Sequence, residues 1–406
     1  VANTLLTIGL ITREALRVLE NSLTFTKQIN TQYDDRFAVD GAKIGTILNV
    51  RKPPQYVGRV GQALAIEDST ETQVPVELDT QFGVDIQFSS QDLALSIDDF
   101  RDRFIKPAIA TVSNRIDRDG LLLSQQVWNT VGAPGTTPVE ILVYLTAGVR
   151  LDDDATPMDG SRCVVITPLM QATLVDALKG LFQQASEIAA QYRKGAMGTA
   201  AGFEFYMDQN VTSHTVGPLG GTPTVNGAGQ TGSAIITQAW TSSASRRLNR
   251  GDVITFADVL HVNPQSRQTN GQLQQFVVTS NFDSDGSGDG TVNIDPPITT
   301  SGAFQTVDSS PANAAAILTF GEVTSTQNTV TPQGLAFHKD AFTLASADLP
   351  LPRGVDMAAR VADKQLGLSI RMVRAYDINQ DQFPCRLDIL YGWAALRPEL
   401  ACRIAA

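Results

Sequence analysis

Two glycine-bearing loops, one acid run and one arginine cluster are where this 406-residue chain could do chemistry. Gly227, Gly229 and Gly232 have the GxGxxG spacing that cradles a pyrophosphate, and Asp252 lies twenty residues beyond. That chemistry needs a strand before the glycines and a helix opening at them. The flanks, GGTPTVN and GSAIITQAW, read as loop and strand, so the glycines predict a loop and no nucleotide site. Asp283, Asp285 and Gly288 fall at positions one, three and six of a calcium loop, but position twelve is Ile294, where a bidentate Glu is required. A hairpin turn is expected there. Asp152, Asp153 and Asp154 have the charge to meet Mg²⁺, yet an acid run between a turn and a strand is ordinarily solvated. Arg246, Arg247 and Arg250 lack the aromatic partners of a single-strand binder and precede Gly251 at a turn. His214, His261 and His338 show no HxxxH, HExxH or cysteine-paired spacing, and neither a GxSxG elbow nor a P-loop is present. The expectation is no catalytic residue, no cofactor and no metal.

The bulk composition narrows the class further. A formal net charge of −11 repels polyanions, which argues against nucleic-acid binding as a main role, and it favours solubility at high local concentration. Cys163, Cys385 and Cys402 are odd in number and far apart, which points to a reducing compartment and away from a disulfide framework. No run of 18 apolar residues exists to span a membrane as a helix. The opening VANTLLTIGLI has no basic stretch before it and is not read as a signal peptide.

The elements that would hold any site centre on the stretch from Ser96 to about Val131, read as one long helix. Ser96, Asp98 and Asp99 resemble a capping box, and Phe100, Phe104, Ala108, Val112 and Ile116 recur every four residues. Pro107 implies a kink or a restart with proline in the first turn. Some 35 residues would make a rod of roughly 50 Å, a spine for the molecule. Before it, 1–46 reads as an arm with a helix from Thr12 to about Lys27, apolar at Ala15, Leu16, Leu19 and Leu23. Residues 47–88 read as a long hairpin, with period-two alternation at Val74, Val76 and Leu78 and at Val84, Ile86 and Phe88. Its outgoing limb is basic (Arg51, Lys52, Arg59) and its return acidic (Glu67, Asp68, Glu71). These charges are either solvated edges that discourage aggregation or a projecting loop that meets a neighbouring copy.

After the turn cluster GAPGTTP, RCVVITP predicts a buried strand running into a helix, with Thr167 as N-cap and Pro168 at the first helical position. That helix should stop at Arg193, Lys194 and Gly195. No lysine then occurs between Lys194 and Lys339, and 210–331 becomes Thr, Ser, Gly, Asn and Gln with short β-rich runs. This predicts an all-β barrel or sandwich inserted into an α+β domain. Two alternating strands, 366–377 and 385–396, close the chain, with Leu366, Leu368, Ile370 and Met372 on one face and Leu387, Ile389 and Tyr391 on one face.

Two stretches carry a resemblance. One is the run from Leu248 to Phe256, LNRGDVITF, followed by the Asp258–Val262 strand and by TVNIDPPI; the other is CRLDILYGWAALRPE, from Cys385 to Glu399. In this order and spacing they resemble the major coat proteins of tailed bacteriophages, in the branch typified by the Salmonella short-tailed phage. The resemblance implies an α+β Hong Kong phage-type capsid fold with an inserted all-β barrel. It would divide into an N-terminal arm (1–46), an extended E-loop-like hairpin (47–88), a peripheral domain with the spine helix (89–149), an axial domain (150–209), the barrel (210–331) and the returning strands (332–406).

The implied function is that of a structural shell subunit, not an enzyme. It would assemble in the bacterial host cytoplasm into the pentamers and hexamers of an icosahedral virion capsid. Implied partners are further copies of itself, a scaffolding protein, a portal protein and, as an additional candidate, a decoration protein; DNA is enclosed without specific binding, and no membrane is involved. No long charged helix precedes the arm, which is why the scaffold is expected to be separate. The family's insertion-domain contact loop is typically charged, whereas Gly217 to Thr231 carries no charge. Arg51, Lys52, Arg59, Glu67, Asp68 and Glu71 are the candidate inter-subunit contacts. A non-viral protein shell, an enzyme with a β-rich accessory domain and a sugar-binding module are the competing classes.

Overall fold

A computed structural model describes residues 12–13, 15–19, 23–31, 47–59, 61–64, 66–69, 71–89, 106–178, 198–242, 246–320, 328–363 and 367–406. The first strands are Ile47–Arg51 (β1), Gln73–Glu77 (β2) and Thr80–Ser89 (β3). Helix Lys106–Leu121 (α1), strand Thr130–Gly132 (β4), helix Ile141–Asp153 (α2), strand Arg162–Ile166 (β5) and helix Pro168–Leu178 (α3) follow. Next come Thr199–Ala200 (β6), Phe203–Met207 (β7), Ser213–Thr215 (β8), Gly221–Val225 (β9), Gly232–Trp240 (β10), Val253–Phe256 (β11) and Leu260–Val262 (β12). Thr269–Leu273 (β13), Phe276–Val278 (β14), Gly290–Ile298 (β15) and Ile317–Thr319 (β16) precede Val330–His338 (β17) and Phe342–Ala347 (β18). Met357–Asp363 (β19), Leu368–Arg374 (β20), Gln382–Ala395 (β21) and Ala401–Ala405 (β22) complete the strands. The chain divides into two compact units: Val1–Lys52, Gln73–Gly120 and Phe342–Leu396 form one; Pro53–Thr72, Leu121–Ala341 and Arg397–Ala406 form the other.

The first unit is built on a sheet ordered β18-β21-β20-β19, with β3 also paired to β21. The period-two residues Leu368, Ile370, Met372, Leu387, Ile389 and Tyr391 are all buried, as their alternation predicts. Leu366 and the Phe88 side chain lie outside the described residues. Of the expected hairpin over 47–88, the limbs β1 and β2 pair with one another and the last strand does not. β1 pairs β2 in the register Ile47 to Glu77, but β3 leaves this ribbon and pairs β21. Cross-strand polar pairs select that partner: the Arg386 guanidinium donates to both Asp85 oxygens at 2.9 and 3.2 Å, and Gln81 Nε2 donates to Asp388 Oδ2 at 2.7 Å.

Helix α1 buries Ala108, Ile109, Val112 and Ile116, the face that its four-residue apolar period specifies. The spine differs from expectation at its end. It stops as an α-helix at Leu121, tightens into a 3-10 turn over Leu122–Gln126, and is extended at Val127. Leu123 and Val127, which continue the apolar stripe in sequence, are buried from the 3-10 turn and from its extended end. The expected start at Ser96 lies outside the described residues. The arm helix is also shorter than expected: 15–19 are helical, but Thr26–Gln28 is a separate 3-10 turn. The reason is the buried Asp117 of α1. Its carboxylate accepts the N–H groups of Thr24 and Thr26 at 2.7 and 3.1 Å and the Thr26 hydroxyl at 2.6 Å, capturing donors a continuing helix would use.

The second unit contains a sheet ordered β4-β22-β17-β5-β7-β6, with β8 beside β17. Every residue of β5 is buried, Cys163 to Ile166 as their apolar run predicts and Arg162 through its pair with Asp152. Thr167 caps α3 by accepting the Met170 N–H at 3.1 Å, again as expected; the predicted stop at Arg193–Gly195 lies outside the described residues. Helices α2 and α3 bury Tyr144, Ala147, Leu151, Met170 and Leu174 against Val164, Ile166, Ala336, Cys402 and Ile404 of this sheet. Helix α2 is not among the elements expected from the sequence. A six-stranded antiparallel sheet, β16-β11-β14-β15-β10-β9, occupies 221–319 and encloses its own core of Ile235, Trp240, Phe256, Phe276 and Phe282. Its edge strands approach one another: Thr224 bridges Ala316, and Val225 exchanges backbone hydrogen bonds of 2.9 Å with Ala314 and Ala315. The fold is therefore mixed and strand-rich.

Candidate subunit-contact surfaces

The charged ribbon predicted to meet a neighbour begins where β1 ends. Arg51 is the last residue of β1, exposed, and Lys52 is half-buried. Beyond them, Glu67 is consumed locally: its two carboxylate oxygens accept the N–H groups of Val57 and Gly58 at 2.8 and 2.7 Å. The Arg59 guanidinium donates to the Gly61 carbonyl, and the Tyr56 hydroxyl bonds Ser69 Oγ at 3.0 Å. Asp68 and Glu71 are exposed. Glu67 and Arg59 thus shape the loop. What the charge pattern missed is apolar: Leu64 and Ile66 are 80% and 82% exposed, with Tyr56 and Val57 also half out.

Residue types at the far end of β21 follow from a close approach. A Cβ on Gly392 would collide with the Glu77 carbonyl oxygen of β2, so only glycine fits. Beside it, the Tyr391 hydroxyl donates to Asp119 Oδ2 at 2.7 Å, an acceptor also bound by Arg115 at 2.9 Å. Burial, then the Asp119 carboxylate, pushes the Tyr391 phenol upward. Tyr391-Gly392 therefore serves packing, tying β21 to α1 and admitting the backbone of β2.

Inside the second unit, polar groups join the six-stranded and seven-stranded sheets. Gly251 adopts φ +94°, a conformation that favours glycine, and its carbonyl accepts Arg403 Nη1 of β22 at 2.7 Å. Arg403 is 1% exposed; burial pulls its guanidinium down to about 10, opposed by the Asp252 charge. Asp252 accepts His214 Nε2 at 2.7 Å, the Gly217 N–H at 3.1 Å and the Asn249 N–H at 2.8 Å. Gln275 brackets β4, accepting the Thr130 N–H at 2.7 Å and donating to its carbonyl at 3.0 Å. Asp154 accepts His261 at 2.9 Å and Asn129 at 2.6 Å, while Asn263 donates to the Asp153 carbonyl at 2.7 Å.

These contacts settle most of the sequence clusters. The acid run is not a solvated turn. Asp154 is buried on His261, and Asp152 pairs with the buried Arg162 at 2.7 Å, because α2 ends against the seam. Gly227 and Gly229 lie in the loop from β9 to β10, as expected, and Gly232 opens β10. Asp285 accepts the N–H groups of Ser287 and Asp289 at 2.8 and 2.9 Å, which holds its carboxyl below the usual range and makes a turn between β14 and β15. His338, fully buried, bonds Asp159 at 3.1 Å. Among the described residues no three His, Cys, Asp or Glu side chains converge as metal ligands. The three cysteines are free and buried.

A family model described as "P22 coat protein - gene protein 5" matches residues 65–403. No curated protein matches the chain. Among solved structures, that of Mycobacterium phage Che8 is similar at 11% identity, with 94% of this chain and 90% of that chain covered and a TM-score of 0.47. The capsid of Ralstonia phage GP4 is similar at 8% identity, covering 94% and 88% with a TM-score of 0.48. The CUS-3 coat protein I-domain is 27% identical over 25% of this chain and 96% of that one, with a TM-score of 0.19. The assignment rests on the family model, which spans most of the chain: this protein belongs to the P22 coat protein family and is a major capsid subunit of a tailed phage.

Proposed function

We propose that this coat protein assembles, guided by a scaffolding protein, into the pentamers and hexamers of an icosahedral shell in the host cytoplasm. A portal protein and a decoration protein are its further partners, and DNA is enclosed without specific binding. Within the subunit, 1–46 acts as the arm, 47–88 as the extended loop, and 89–149 as the peripheral domain. Residues 150–209 act as the first part of the axial domain, 332–406 as the returning strands shared by the axial and peripheral domains, and 210–331 as an inserted β-barrel. The near-meeting of β9 and β16 supports the barrel. Its membership in a coat protein family supports reading it as a purely structural subunit.

The observation that carries the assembly reading is the ribbon between β1 and β2. A loop that spends Glu67 and Arg59 on its own shape while exposing Leu64 and Ile66 gains little for a lone subunit. Packed on an adjacent copy, the same residues bury apolar area, and a heterologous contact of this kind closes into rings. Arg51, Lys52, Asp68 and Glu71 then form the polar rim of that contact. Negative-stain electron microscopy of the protein, expressed alone and with its scaffold, tests the reading. Shells tens of nanometres across are expected; monomers under both conditions would overturn it.

A further inference from the structure

Helix α2 is apolar on two opposite sides. Tyr144, Ala147 and Leu151 face the seven-stranded sheet and are buried. At 3.6 residues per turn, Leu142, Leu145, Thr146 and Val149 lie on the other side. They are exposed: Leu142 61%, Leu145 43% and Val149 47%. A single exposed leucine means nothing, but a helix apolar all round belongs in an interior. Val139, just before the helix, extends the stripe, and a groove lined by Gly132, Ala133, Pro138 and Val143 runs alongside it.

We propose that this face of α2 is a contact between copies of the chain, with the Leu142–Leu145–Val149 stripe covered by the next subunit of the ring. The proposal rests on the shell-forming reading above. Charge selects the occupant. Each copy carries −11, so two copies repel wherever their acidic surfaces meet. Between Val131 and Val149 the only charged residue is Glu140, so this is a surface on which like-charged copies approach with little Coulomb penalty. A cationic partner would gain nothing here, whereas a second copy gains the apolar area.

Two variants test it. Leu142→Glu sits at an exposed position, so the free subunit should keep its melting temperature while shell yield, measured by light scattering and microscopy, falls at least tenfold. Leu142→Cys keeps the proposal falsifiable if the charge disturbs folding. The native cysteines are buried, so the new thiol alone should react with a small maleimide. It should react readily in the free subunit, at least tenfold more slowly in shells, and readily again once shells are dissociated. Normal assembly of the glutamate variant, or equal thiol reactivity in shells and free subunits, would overturn the proposal. Protection seen only while scaffold is bound would assign the face to the scaffold and overturn it too. If the unsubstituted chain forms no shells at all, the shell-forming reading falls first and this contact with it.

Discussion

Asp252→Asn is nearly isosteric, yet it should be among the most damaging single changes in the second unit. The substitution removes the negative charge that offsets the buried Arg403 guanidinium, and it can place an amide NH₂ against the N–H groups of Gly217 and Asn249. If the amide flips to spare those donors, its NH₂ turns toward His214 Nε2 instead. Arg403 touches the Gly251 carbonyl and feels Asp252 only through space, so the loss is mainly that of buried groups left mispaired around residue 252, about 1–3 kcal/mol. In a unit of this size each kcal/mol moves the midpoint by about 2–4 °C, so the melting temperature should fall by roughly 2–12 °C. The assay is thermal and urea unfolding of unassembled subunits by circular dichroism. Adding Arg403→Met removes the stranded charge at similar volume and gives up one hydrogen bond, to the Gly251 carbonyl. The double variant should therefore recover part of the loss. An Asp252→Asn subunit melting within about 2 °C of the parent would refute the seam as an electrostatic unit. A double variant no better than the single one would do the same.

Gly392→Ala forces β2 away from β21; overpacking of this kind costs about 1–3 kcal/mol, and faster amide exchange at 47–51 and 73–77 should report the loosened ribbon. Arg59→Glu removes the guanidinium contact to the Gly61 carbonyl that shapes the exposed loop, and should lower shell yield without moving the subunit's melting temperature by more than about 1 °C; unimpaired assembly would show that this loop shape is not needed for the contact. The buried thiols set an alkaline limit. Burial pushes Cys385 up to about 11 and Cys402 up to about 12. The unfolded chain releases these protons earlier, so their contribution is whole below about pH 8.5 and is lost as pH rises through 11 and 12. Urea midpoints should fall between pH 8 and 10.5, and Cys385→Ala should flatten that slope.

Local patterns were legible in the sequence because their causes are local. The Thr167 cap, the buried run of β5 and the alternation in β20 and β21 each depend on residues within one element. Partners were not legible. Phe82, Val84 and Ile86 alternate identically whether β3 pairs β2 or β21, and only Asp85 and Gln81 distinguish the two. Helix α2 escaped notice because residues apolar on both sides leave no single stripe for periodicity to detect. The seam was invisible for a third reason: Arg403 and Gly251 are 152 residues apart, and no spacing rule links them. Arg-Gly-Asp at 250–252 could be recognised as a turn, but not that its glycine carbonyl holds a β22 arginine while its aspartate carboxylate holds a β8 histidine.

The seam also bears on how a long segment can be hosted at all. The chain leaves the seven-stranded sheet after β8 and returns in β17, and these strands pair directly: Thr215 with Val330, His214 with Thr331, Ser213 with Pro332. Exit and entry points about 5 Å apart cost the host sheet almost no distortion, whatever lies between. Such a join alone would leave the six-stranded sheet free to pivot about two strands. His214 removes that freedom, because it sits in β8 at the exit and grips Asp252 inside the hosted sheet. Arg403 does the same from β22 through Gly251, and Gln275 from the hosted side through Thr130 of β4. Three clasps on three different host strands fix an orientation that one hinge could not, each through a buried directional hydrogen bond. The hosted sheet is thereby oriented by hydrogen-bond geometry, whereas its own stability comes from the aromatic core around Trp240 and Phe282.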